Sequence, residues 1–165
     1  MFDLKPLHQD AIPAALEKAL RYRLLNEPAE AESICLDVLQ ADPNNQQALV
    51  TLLLALTDQF GRNFAVSATQ AHEVLGRIRD PYEHAYYSGI INERQAKVQL
   101  EQKTPGTRFY AYDSLREAMS LYEKADAIRP AGNDDARLRW NTCARIIQRN
   151  KLGPRAGEER ESPLE

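Results

Sequence analysis

Residues 29–43 read AEAESICLDVLQADP, and residues 115–130 read LREAMSLYEKADAIRP. Aligned without a gap, Ala31, Cys35, Val38 and Pro43 fall on Ala118, Tyr122, Ala125 and Pro130. Spacings of four and three put the first three residues of each set on one face of a helix. The proline five residues on ends the helix, because it cannot donate a backbone hydrogen bond and its ring clashes with the preceding turn. The small residue lets a partner helix come close, the bulkier one fills the gap to the next pair, and a small apolar residue follows. A stripe of this kind that occurs twice signals a helical repeat. A third, weaker copy places Ala68, His72 and Leu75 in the pattern, with Pro81 one residue late, and makes His72 a packing residue.

Working outward, apolar residues recur at helical spacing between punctuation marks, and almost nothing alternates as a strand would. Helices are predicted over about 12–25, 28–41, 45–60, 63–79, 81–102, 108–128 and 133–151. The second buries Ala31, Ile34, Cys35, Val38 and Leu39, and the third is apolar nearly all round, so neighbours must cover it on several sides. Asn63 and Asn133 are the expected N-caps of the fourth and seventh. The strongest helix start is Asp80-Pro81-Tyr82-Glu83, which combines an N-cap, a proline in the first turn and a carboxylate three residues on. Residues 1–11 form an N-terminal arm, 12–152 a helical domain, and 153–165 a tail with no apolar period, expected to be disordered.

Composition narrows the function. With 165 residues, 43% hydrophobic and 27% charged, the chain has the balance of one ordinary globular domain. A net charge of −3 argues against a surface that is basic throughout, as a general nucleic-acid or membrane binder would need. The most apolar run, residues 48–56, is far short of the roughly 20 residues of a membrane span. The opening MFDLKPLHQD lacks the basic-then-apolar order of a secretory signal, so a cytoplasmic location is expected, with Cys35 and Cys143 as free thiols.

The two striped segments resemble second helices of the tetratricopeptide repeat family with its terminal proline. DPYEHAYYSGIINERQA, residues 80–96, is similar to a first helix of that repeat, with Gly89 at its close-packing glycine. The resemblance covers about 12–151 and implies a right-handed superhelical array of antiparallel helix pairs, three pairs and a final unpaired helix. Pro43, Pro81 and Pro130 are 38 and 49 residues apart, against a family period of about 34. The third pair therefore carries an insertion, expected as extra helix before Lys103 plus the Thr104-Pro105-Gly106 loop. The first helix lacks the family's tryptophan and glycine.

Little points to catalysis. His72-Glu73-Val74-Leu75-Gly76 begins like a zinc HExxH motif but has Gly76 in the second histidine's place, so neither metal nor cofactor is expected. Asp134-Asp135 suits the positive end of a helix dipole. Cys143 shares a helix face with Trp140 and Ile147, as a buried thiol would. Tyr82, Tyr86 and Tyr87 read as packing, as do Tyr110 and Tyr112.

The informative feature is charge asymmetry. Residues 136–157 hold six cations (Arg137, Arg139, Arg145, Arg149, Lys151 and Arg155) and no anion, whereas residues 1–80 hold 7 basic and 11 acidic side chains. The plain reading is a solvated face that complements a helix C-terminus. The resemblance implies a sharper one, in which first helices line a concave groove formed by Gln47, Val50, Leu54, Tyr86, Ile90, Arg94, Arg137, Asn141 and Arg145. Apolar at one end and basic at the other, it would take a peptide or partner protein with an acidic or carboxylate-bearing end. The expectation is thus a non-enzymatic adaptor or scaffold for protein–protein interaction. Nucleic-acid binding through the basic last helix and a structural homo-oligomer are the alternatives.

Overall fold

Proline, glycine and asparagine cut the chain into helices of limited length, and the computed structural model, which describes residues 1–157, contains no strand among them. A 3-10 turn at Gln9–Ala11 leads into α1 (Ile12–Leu24), α2 (Pro28–Ala41), α3 (Gln46–Asp58) and α4 (Phe64–Leu75). They are followed by α5 (Pro81–Glu101), α6 (Thr107–Ala127) and α7 (Asp135–Asn150). The all-α class and the seven helices agree with the sequence reading. The helices gather into two compact units, Met1–Tyr87 and Ser88 onward, which divide within α5.

In the first unit α1 packs on α2, α2 on α3 and α3 on α4, and α1 also touches α3. The α1–α2 turn is closed by Asn26 in the left-handed region (φ 60°), with Glu27 N–H bonded to the Tyr22 carbonyl and Asn26 N–H to that of Arg23. This pairing satisfies the last carbonyls of α1, with asparagine standing where glycine is usual. Arg23 grips Asp58 through Nε at 2.7 Å and Nη2 at 3.4 Å, which ties α1 to α3. Ala48, Leu49, Leu52, Leu53, Ala55 and Leu56 of α3 are all buried, as its apolar circumference requires.

Two boundaries differ from the sequence reading. The fourth helix stops at Leu75 rather than near Arg79, with Gly76 as its C-cap. The Gln46 side chain takes over the backbone there, accepting from Arg79 N–H at 2.9 Å and donating to the Arg77 carbonyl at 3.3 Å. Asn63 precedes α4 but its side chain makes no cap bond. At α7 the cap comes from one residue earlier than the N-cap position, since Asn133 Oδ1 accepts from Asp135 N–H at 2.9 Å while Asp134 makes no such bond. Asp80 does cap α5, accepting from Glu83 N–H at 2.9 Å.

The third repeat copy begins one residue earlier than its sequence suggests. Ser67, Ala71, Val74 and Leu75 are buried, whereas His72 is exposed and Ala68 half-buried. His72 is therefore not a packing residue. Residues 76–80 leave the helix, which carries Pro81 still further from the repeat position and removes it as a guide to the register. In the corrected register the stripes Ala31-Cys35-Val38, Ser67-Ala71-Val74 and Ala118-Tyr122-Ala125 share one spacing and are buried throughout.

In the second unit α5 runs antiparallel to α6, with Tyr122 meeting Glu93 and Ser114 meeting Gln99. Arg108 donates to the Asn150 carbonyl and Trp140 Nε1 to Glu123, which sets α7 antiparallel to α6. The insertion is shared between two helices. Both α5 and α6 have 21 residues, against 12 to 14 in α1–α4. Antiparallel partners must lengthen together, or the overhanging turns lose their cover. The tail is split: 158–165 lie outside the described residues, while 153–157 are non-helical and carry Arg155 over the rings of Phe109 and Tyr110, 5.5 and 5.8 Å from their centroids.

Gly89 explains which pair needs a glycine. A Cβ there would stand 2.5 Å from Tyr122 Cε1 and 2.7 Å from Cδ1, well inside contact distance. The other two pairs put Cys35 and Ala71 at the bulky position and have no glycine in their first helices. Gly89→Ala is expected to destabilise the protein by about 1–3 kcal/mol, because the fully buried tyrosine ring has nowhere to move. Gly61→Ala, where nothing lies within 4 Å, should be neutral or stabilising by up to about 1 kcal/mol. Urea titrations of the two variants check the contrast.

Candidate functional site

The α3 residues Gln47, Val50 and Leu54 lie three and seven residues apart, on one stripe of the helix. Gln47 is exposed, and Val50 and Leu54 are half-buried. Tyr86, also in the first unit, is half-buried in a row of three rings. It stacks on Tyr82 with centroids 5.9 Å apart and planes 12° apart, and meets Tyr87 edge-on at 5.0 Å. Both ring contacts lie within α5.

The second unit holds the remaining residues, and here the predicted site changes. Ile90 is 1% exposed and belongs to the core, so it is not a groove anchor; the repeat resemblance, carried over position by position, had placed it on the open face. Arg94 and Asn141 are half-buried, and Arg137 and Arg145 are exposed. Arg137 Nη2 bonds Asp126 Oδ2 at 2.9 Å, and that contact raises its already high pKa further. Arg129 stands 3.6 Å from Asp134 and 4.0 Å from Asp126. The first half of α7 is therefore neutralised by the acidic end of α6, which sequence could not show because the partners lie about three helical turns back along the chain.

Beneath this surface lies a group that the periodicity missed. Glu93 is fully buried. Its Oε2 accepts from Tyr122 Oη at 2.7 Å, and its Oε1 lies 3.0 Å from Lys97 Nζ and 3.5 Å from Arg139 Nη1. A buried carboxylate is tolerated only with such partners. The one signal in the sequence was Lys97 four residues after Glu93, a spacing shared by countless solvated pairs.

Burial first, and the Glu93 charge second, hold the Tyr122 hydroxyl far above its ordinary range, so it stays a donor. The same two causes, in the same order, push the Cys143 thiol up to about 12, while Lys97 and Arg139 pull the other way. Burial and then Glu32 push Cys35 up to about 12 as well. Neither thiol supplies a thiolate nucleophile near neutral pH. Among the described residues no group of three or more His, Cys, Asp or Glu could hold a metal ion, and no helix is long and apolar enough to cross a membrane.

The six cations of residues 136–157 now sort themselves. Arg137 and Arg139 are ion-paired and Arg155 covers aromatic rings. Arg145, Arg149 and Lys151 are exposed and form no ion pair among the described residues. The accessible positive charge is concentrated at the C-terminal end of α7, not around Arg137 and Asn141. Compared with family models, curated proteins and solved structures, the chain matches none.

Tyr122 gives a pH dependence with a definite sign. Its folded pKa lies above the ordinary value of 10, so its contribution is intact below pH 10 and is lost as pH rises further. Tyrosine absorbance at 295 nm should show one of the seven tyrosines ionising only as the protein unfolds. Tyr122→Phe should blunt that alkaline loss and cost about 1–3 kcal/mol at neutral pH, because Glu93 loses a donor. Both cysteines should resist a thiol reagent in the native protein and react at once in guanidinium.

Proposed function

We propose that the protein is a non-enzymatic interaction module, a tetratricopeptide-like stack of helix pairs that binds another protein through the faces its first helices leave uncovered. The observation that carries this reading is the threefold burial of one stripe, in α2, α4 and α6, against neighbouring helices. Repeats of this kind put their shared residues into packing and leave the other faces of the first helices free to vary. The stripes Gln47-Val50-Leu54 on α3 and Asn141-Arg145 on α7 are such faces. Large apolar side chains also stand in solvent, among them Leu24 (77% exposed) and, on α7, Leu138 (61%). The raised thiol pKa values speak against cysteine chemistry. The pairing of Arg137 and Arg139 leaves too short a run of free cations for a nucleic-acid track.

Binding of micromolar class, near −8 kcal/mol, is expected, with apolar anchors dominating and exposed charges each contributing about 0.2–1 kcal/mol. The test compares proteins recovered from native extract on wild type and on Leu138→Glu with Arg145→Glu, two exposed positions whose change leaves the core intact. Selective loss of a stoichiometric partner supports the reading, and an unchanged set of bound proteins rejects α7 as the docking face. Light scattering across a concentration series separates a foreign partner from a second copy of this chain.

A further inference from the structure

Three separate pieces of chain meet at one end of the second unit: the α5–α6 connection, the first turn of α6, and the end of α7. Between them is an open cleft of about 460 Å³, within the range of ligand-binding sites. Among the described residues its lining includes Lys103, Arg108 and Lys151 and no acidic residue, with Leu100, Phe109 and Leu152 as apolar surface. Arg155 adds a fourth cation, its Nη2 about 4.0 Å from the point a Cβ on Gly106 would occupy.

This convergence of charge is costly as it stands. Like charges repel, and the chain as a whole is acidic, with anions to spare elsewhere. Lys103 and Lys151 are exposed and have no ion pair among the described residues. Arg108 donates to the Asn150 carbonyl, which fixes its guanidinium while leaving most of its five donors unused. Lys151 carries a second cost, a left-handed backbone (φ 51°) that glycine would adopt without strain. A guanidinium held at one end, two exposed ammonium groups and apolar lining together match a ligand that brings several carboxylates and an apolar side chain.

We propose that this cleft is the docking site for an acidic segment of a partner protein, with its carboxylates on Lys103, Arg108 and Lys151 and an apolar side chain between them. The proposal rests on the interaction-module reading and adds to the helix faces a second contact, at the loop end of the second unit, with its own chemistry. A short cleft with apolar side chains in its lining favours such a peptide over nucleic acid, which needs a string of phosphate contacts.

The probe is a fluorescein-labelled hexapeptide of two leucines flanked by glutamates, titrated into the full-length protein by polarisation and by amide NMR. Binding at about 10–100 μM is expected, with shifts confined to 102–109 and 151–155 and affinity falling as salt rises. Lys151→Gly with Lys103→Gln separates folding from binding. The glycine relieves the left-handed strain, so melting temperature should rise by about 2–4 °C while affinity falls about tenfold or more. Replacing the peptide's glutamates by glutamine, or its leucines by glycine, should each weaken binding at least about fivefold. Unchanged affinity in the double variant, shifts elsewhere, or equal shifts from inorganic phosphate or a ten-nucleotide oligothymidine would each overturn the proposal. The α7 test above is independent of this cleft, so failure here leaves the broader reading standing.

Discussion

Two helices can bury a continuous stripe only where their backbones come close, and backbones come close only where side chains are small. That constraint governs this protein. Ala31, Ser67 and Ala118 head the three buried stripes, and four residues on the chain places Cys35, Ala71 or Tyr122 according to the room available. The tyrosine is the extreme case. Its ring occupies the volume that a side chain on Gly89 would fill, and its hydroxyl then reaches Glu93 at 2.7 Å. A missing Cβ on one helix thus admits an aromatic ring, and the ring in turn makes a buried carboxylate tolerable.

Electrostatics follow from that packing. Once Glu93 lies in the core, Lys97 and Arg139 are drawn to it, and Glu123 and Asp126 at the end of α6 engage Trp140 and Arg137. The first half of α7 is thereby held to its neighbours by polar contacts that also neutralise its charge. Among the described residues, what remains unpaired is its C-terminal end, beside the α5–α6 connection, where cations gather without anions. Which cations stay free is set by which arginines the interior and the α6 surface have already claimed.

Much of the fold could be read in advance because its determinants are local. Asp80 and Pro81 start a helix wherever they occur, Pro28 suits a first turn, and the apolar circumference of residues 46–58 demands cover on several sides. The repeated stripe was equally legible, since three residues at helical spacing fix a face without knowledge of the partner. Where reading went astray, the cause was nonlocal. The fourth helix ended early because Gln46, 31 and 33 residues upstream, bonds the backbone of Arg77 and Arg79. His72 looked like a packing residue because Ala68, His72 and Leu75 also fit the spacing, and which of two adjacent registers faces inward depends on the neighbouring helix.

The sequence by itself determined the helical class, the helix boundaries to within a turn in most cases and the apolar faces of α2 and α6. Each of these follows from spacing, capping or composition along a few residues. Tertiary structure alone decided that Ile90 is core, that Glu93 is buried, that Arg137 is spent on Asp126 and that Lys103, Arg108 and Lys151 share a cleft. Those facts depend on which segments meet in space, and a charge or an apolar side chain carries no local mark of the neighbour that will claim it.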